Sequence, residues 1–152
     1  MKTIFHTTLT INSDQHTLDN LVYRLGRRDP EARNHWEEDE LVFSLWNIVR
    51  PPSSELDNYY APSFDHPYNW FQWNLKNWGT KWDCGNNRLL NYAPDGFVVY
   101  EFDTIWAGPL IGLTRLAQIF PEASMMAMSQ SDKGESYVAS WKDGVANGFS
   151  KI

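Results

Sequence analysis

A chain of 152 residues that is 42% hydrophobic and 15% aromatic is one domain's worth of globular protein, not a disordered segment. Its net charge of -6 excludes a generally basic surface of the kind that coats nucleic acid. A single cysteine, Cys84, excludes an intrachain disulfide, and no apolar run approaches the ~18 residues of a membrane helix.

The predicted elements follow in chain order. Residues 4–11 read as a strand with Phe5, Leu9 and Ile11 on one face. "NSDQHTLDNLVYRLG" predicts an amphipathic helix: Ser13 or Asp14 caps it, Leu18, Leu21, Val22 and Leu25 form its stripe, and Gly26 stops it in the left-handed position. Arg24, Arg27, Arg28 and Arg33 read as a solvated helix end, and an acidic loop or short helix follows. "LVFSLWNIV", 41–49, is apolar on both alternations and predicts a strand covered on both faces. Pro51 and Pro52 end it, and an irregular, polar stretch follows.

Pro67 is placed as the first residue of a helix running to Trp78, with Gly79 as its stop. Trp70, Phe71, Trp73, Leu75 and Trp78 cover more than one stripe of it, so it should be wedged between two surfaces. Residues 80–83 and 88–92 read as short strands about the turn "CGNN". Residues 97–105 are the strongest strand, with Val98, Tyr100, Phe102 and Trp106 on one face and Glu101 and Asp103 on the other. "GPLIGLTRLAQIFP" predicts a second amphipathic helix, started by Pro109 and ended by Pro121. Residues 124–130 and 135–141 form a hairpin, and "DGVANGFSKI" reads as a tail.

This order predicts an α+β fold of one domain, 1–152: a ferredoxin-like split βαβ antiparallel sheet with two packed helices and an inserted Trp-rich helix, the insertion spanning about 51–92. The start, "MKTIFHTTLTIN", has no apolar signal core, and the expectation is a cytoplasmic protein.

The stretch "NWFQWNLKNWGTKWD" holds Trp70, Trp73, Trp78 and Trp82, half of the 8 tryptophans. Trp78, Lys81, Trp82, Asp83 and Asp103 are the candidate ligand cage, because cation–π and base-stacking sites use such residues. The plainer expectation is a Trp-lined junction that docks the inserted helix, with Trp78 and Trp82 buried and Lys81 paired to Asp83 or Asp103.

No metal site is expected. His35 stands near Glu37, Glu38 and Asp39, but consecutive carboxylates cannot all converge, and Asp65–His66 is only a pair. Cys84 with His66 carries no nucleophile signature, and "DGVANG" does not join a strand to a helix as a phosphate loop must. Glu101 and Asp103 read as the wetter sheet face or a cross-strand charge ladder.

Two segments carry a resemblance. "NWGTKWD", 77–83, and "FDTIWAGP", 102–109, with Phe120–Pro121, resemble the signature motifs of the YubB ferredoxin-like family of small phage and plasmid proteins. The resemblance spans about 65–141 and departs from the family pattern at Ile105 and at Ala107–Gly108. It implies a ferredoxin-like topology and a mobile-element origin, so that the cytoplasm would be a host's. It implies no cofactor, since one cysteine cannot hold an iron–sulfur cluster.

The leading expectation is therefore a non-enzymatic interaction protein of a phage or plasmid acting on a host protein, an inhibitor of a host defence system. Trp36 with Glu37, Glu38, Asp39 and Glu40 is its expected partner surface, an aromatic amid carboxylates suited to a basic, nucleic-acid-binding host protein. The alternative is a nucleotide or single-stranded nucleic-acid module that uses exposed aromatics. A small enzyme is the third.

Overall fold

The computed structural model describes residues 3–33, 41–93 and 96–152. Alternation fixes the faces of its sheet. In β1 (Ile4–Asn12), Phe5, Thr7, Leu9 and Ile11 are buried while His6, Thr8 and Thr10 turn the other way. In β3 (Phe97–Ile105), Val98, Tyr100, Phe102 and Thr104 point inward. With β2 (Gly85–Ala93), β4 (Ser124–Ser131), β5 (Ser136–Lys142) and β6 (Val145–Lys151) they form a six-stranded sheet of order β2-β3-β1-β4-β5-β6. Every neighbouring pair is antiparallel.

Four helices complete an α+β architecture among the described residues: α1 (Gln15–Gly26), α2 (Leu56–Tyr59), α3 (Trp70–Asn77) and α4 (Leu110–Ile119). The apolar stripes of α1 (Leu18, Leu21, Leu25) and α4 (Leu113, Leu116, Ala117) join the inward strand residues in one core. Each leucine so buried contributes roughly 1.5–3 kcal/mol. Asp14 caps α1, its carboxylate accepting from the Thr17 amide at 2.9 Å and the Thr17 hydroxyl at 2.8 Å. The amide bond, first, holds its carboxyl below the usual value.

The structure corrects several expectations. Gly26 ends α1 but is not left-handed. It lets the chain pass close by instead, for a Cβ there would stand 3.3 Å from the Leu41 carbonyl oxygen. Residues 41–49 are not a strand. Leu45–Asn47 is a 3-10 turn, with Phe43, Leu45, Trp46 and Ile48 all buried. No strand ladder holds its amides: those of Asn47, Ile48 and Val49 bond within the turn, and side chains hold four others. Asn87 Oδ1 accepts from Val42 and Phe43, and Asp83 accepts from Leu45 and Trp46. The Arg24 guanidinium donates to the Asn47 and Ile48 carbonyls.

α3 begins at Trp70, capped by Asn69, so Pro67 precedes it rather than opening it. Gly79, at φ +85, stops it as expected. Residues 80–83 are bend and irregular chain rather than strand. Gly85–Ala93 belongs to the sheet through β3 rather than to an insertion, and the supposed tail is β6, paired with β5. The excursion between α1 and the sheet therefore occupies 27–84.

Candidate functional site

The Trp-rich stretch divides between inside and outside. Trp73 and Trp78 point into the core, edge to face at 5.4 Å, and Trp78 Nε1 donates to the Val49 carbonyl at 2.9 Å. Trp70 is half-buried. Trp82 is mostly buried, its Nε1 shielded from solvent, and its ring carries Lys81, whose Nζ is 5.0 Å from the Trp82 ring and 4.6 Å from the Trp106 ring. Lys81 thus takes two indoles, not Asp83 or Asp103, as its partners.

Trp106 departs from expectation as well. It lies just past β3 at φ +79, which turns its side chain off the inner face and leaves it 41% exposed. Phe71 meets it edge to face at 5.8 Å. Phe64, 51% exposed, stacks on Phe71 at 5.2 Å and meets Trp70 at 5.6 Å. The result is a continuous outer wall of aromatic rings, Trp70–Phe64–Phe71–Trp106, closed by Lys81 and Trp82. Nothing in the sequence marks Phe64, which lies in the irregular stretch, or the exposure of Trp106, because the turn that exposes it is a backbone event.

The junction behind this wall is stitched backbone to backbone. The Lys81 amide and the Thr80 hydroxyl both donate to the Ile105 carbonyl, at 3.2 and 2.9 Å. The Gly112 amide donates to the Trp78 carbonyl at 3.1 Å. That bond occupies one of the orphan amides at the start of α4, where no side chain caps the helix. Residues 77–83 and 102–109 thus lie against each other.

Asp83 is the anchor of the 3-10 turn. It accepts from Ser44 Oγ at 2.5 Å and from the Leu45, Trp46 and Cys84 amides at 2.6, 3.2 and 2.7 Å. Burial pushes its carboxyl above the usual value, and these donors pull the other way. Trp78 and Asp83 line one cavity of about 430 Å³ together with Arg27, Arg33, Trp46 and Tyr59. Its polar walls are mutually occupied, with the Tyr59 hydroxyl donating to Asn74 Oδ1 at 2.7 Å and Asn47 Nδ2 donating to the Leu25 and Arg27 carbonyls.

Asp103 lies elsewhere, on the outward sheet face. It is 2.8 Å from His6 Nδ1 and accepts from Asn86 Nδ2 at 2.9 Å, while Glu101 lies 3.4 Å from His6 Nε2 and 3.6 Å from Arg88 Nε. This is a cross-strand charge ladder. The five cage candidates therefore separate three ways: Trp78 and Asp83 at the cavity, Lys81 and Trp82 on the wall, Asp103 on the sheet.

Cys84 is buried, and burial beside Asp83 and Asp103 pushes its thiol well up. His66 is exposed, its Nδ1 accepting from the Tyr68 amide, so the two do not form a nucleophile pair. Among the described residues no group of three His, Cys, Asp or Glu side chains is placed to hold a metal ion, and no helix is long and apolar enough to cross a membrane. Trp36, Glu37, Glu38, Asp39 and Glu40, like His35, lie outside the described residues.

No family model and no curated protein matches the chain. Among solved structures it is similar to protein Api92 from Yersinia pseudotuberculosis, assigned to the family DUF1281, with a TM-score of 0.66 over 98% of this chain and 97% of that one. At 8% identity this likeness speaks for the fold alone.

Proposed function

We propose that this is a non-enzymatic interaction protein that works by contacting a host protein, with the aromatic wall as its contact face. Trp106 carries the proposal. A bulky residue held in the left-handed region costs on the order of 1–3 kcal/mol, and such strain is found where function needs it. Here it turns an indole toward solvent, beside Phe64, Phe71 and Trp82, instead of into the core. Aromatic side chains of this kind dominate interface energetics once a partner desolvates them.

The resemblance to the YubB ferredoxin-like family supplies the setting of a phage or plasmid, and in that setting we read the role as inhibition of a host defence component. The order β2-β3-β1-β4, with α1 and α4 on one face, supports the finer reading of the fold as a split βαβ plan to which β5 and β6 are added. The acidic stretch from Glu37 to Glu40 with Trp36 is retained as a second contact.

Capture from host lysate tests the reading, with and without nuclease. The wild type should retain a protein after nuclease treatment. Trp106→Asn, which suits a left-handed backbone, should lose that protein without melting earlier. Nuclease-sensitive capture, or undiminished capture by Trp106→Asn, sinks the proposal. A nucleotide-binding module is the second reading, favoured by Arg27, Arg28 and Arg33 meeting Trp46 and Tyr59 at the cavity. A small enzyme is the third reading, which a deep polar pocket around Lys81, Asp83 and Asp103 would favour.

A further inference from the structure

The chain holds 19 acidic residues, yet none falls in residues 66–82 or 104–121. These two segments hold α3, α4 and every wall residue but Phe64. The same segments carry Lys76, Lys81 and Arg115. Among the described residues none of the three cations has a carboxylate partner: the ion pairs there use His6, Arg50 and Arg88. An acidic protein thus keeps these two segments free of carboxylates while they carry cations and aromatic rings.

A groove crosses this surface between α3 and α4, with a volume of about 450 Å³. Val49, Leu110 and Ile111 supply its apolar side, and Lys76 and Arg115 stand on its rim. Ile111 is 49% exposed although it sits on the first turn of a helix otherwise buried along its stripe. The groove and the wall are continuous through α3, which bears Phe71 and Lys76, and through Gly79, where a Cβ would touch Ile111 at 3.4 Å.

We infer that the α3–α4 groove docks an acidic amphipathic segment of a protein partner. Its apolar side chains would enter between Leu110 and Ile111, and its carboxylates would meet Lys76 and Arg115, with Lys81 as a third charge beside the wall. This rests on the interaction reading above and names the chemistry of the partner. Single-stranded nucleic acid fits less well. The wall rings are engaged with one another, edge to face at 86°, 84° and 87° and stacked between Phe64 and Phe71, rather than splayed to accept bases, and the groove is aliphatic. The chain's charge of -6 also opposes a long phosphate backbone.

The test uses three probes on the full chain: a synthetic peptide with leucines along one helical face flanked by glutamates, the same peptide with glutamines, and a short oligothymidylate. Backbone amide shifts are followed by NMR. The glutamate peptide should move amides of α3 and α4, bind more tightly than the glutamine peptide, and weaken as salt rises. Lys76→Glu/Arg115→Glu alters only exposed side chains and should lower its affinity at least about tenfold, ~1.4 kcal/mol. Shifts confined to other elements, an affinity indifferent to the charge reversal, or oligothymidylate displacing the peptide would each overturn the inference. If lysate capture survives the charge reversal but not Trp106→Asn, the interaction reading stands and this inference alone falls.

Discussion

Removing the Asp83 carboxylate should unfasten the 3-10 turn from the rest of the molecule. Asp83→Ala deletes the acceptor of the Ser44 hydroxyl and of the Leu45, Trp46 and Cys84 amides. An orphaned buried donor costs about 1–3 kcal/mol. Relaxation and entering water relieve part of this, so we expect a net loss of about 3–5 kcal/mol, against a total stability of about 5–15 kcal/mol for a domain. Asp83→Asn keeps one acceptor oxygen but turns an amide toward the remaining donors, and should fall between. Urea unfolding followed by tryptophan fluorescence reads both, the midpoint dropping with the slope unchanged. The pH response has a definite sign. Burial lifts the Asp83 carboxyl in the folded state, so its contribution is fully present below the ordinary value of 3.8 and declines as pH rises through the folded value. The margin of wild type over Asp83→Asn should therefore narrow from acid toward neutral pH. A loss below ~1 kcal/mol for Asp83→Ala, or a margin that widens with pH, would refute the reasoning.

Trp78→Ala should cost about 3–5 kcal/mol, the range for buried aromatic truncation, while Trp82→Ala at the half-buried wall should cost less than half as much. Equal losses by calorimetry would contradict the inside–outside division of the Trp-rich stretch. Gly108→Ala would bring a Cβ to 1.5 Å from the Tyr137 hydroxyl oxygen and 2.7 Å from Cζ. It should lower stability by about 1–3 kcal/mol, and adding Tyr137→Phe should restore part of the loss. An unchanged melting temperature for Gly108→Ala would show that the ring moves aside freely.

Local periodicity made much of the architecture legible. β1, α1, β3, α4 and the β4–β5 hairpin each carry a pattern that agrees with their environment, and Asp14 and Gly79 act where the sequence puts them. Residues 41–49 carry no strand signal of their own, because a short apolar run does not distinguish a strand from any other fully buried segment. Their conformation is decided by Asp83 and Asn87, some forty residues later in the chain, and no local pattern records that. β6 is illegible for the opposite reason: an exposed edge strand, "VANGFSK", has no buried alternation to display. The site was legible in composition but not in arrangement. The sequence shows that tryptophans cluster, whereas the left-handed turn at Trp106 decides that its ring faces solvent.

The excursion from α1 to β2 is fastened differently from the sheet. Asn47 holds the Leu25 and Arg27 carbonyls, Asn69 those of Asn58 and Ala61, and Asn87 and Asp83 the amides of Val42, Phe43, Leu45 and Trp46. A strand ladder loses its bonds one residue at a time from a frayed end. Here each side chain holds two or more backbone groups at once, so releasing one frees several together. The excursion should open as a cooperative unit while the sheet stays closed, and its amides should exchange with solvent in concert, at a lower free energy than those of β1 and β3. The aromatic wall is mounted largely on this unit. A partner that binds the wall would therefore slow exchange throughout the excursion, including at Val42 and Phe43, whose amides are held by Asn87 rather than by the wall.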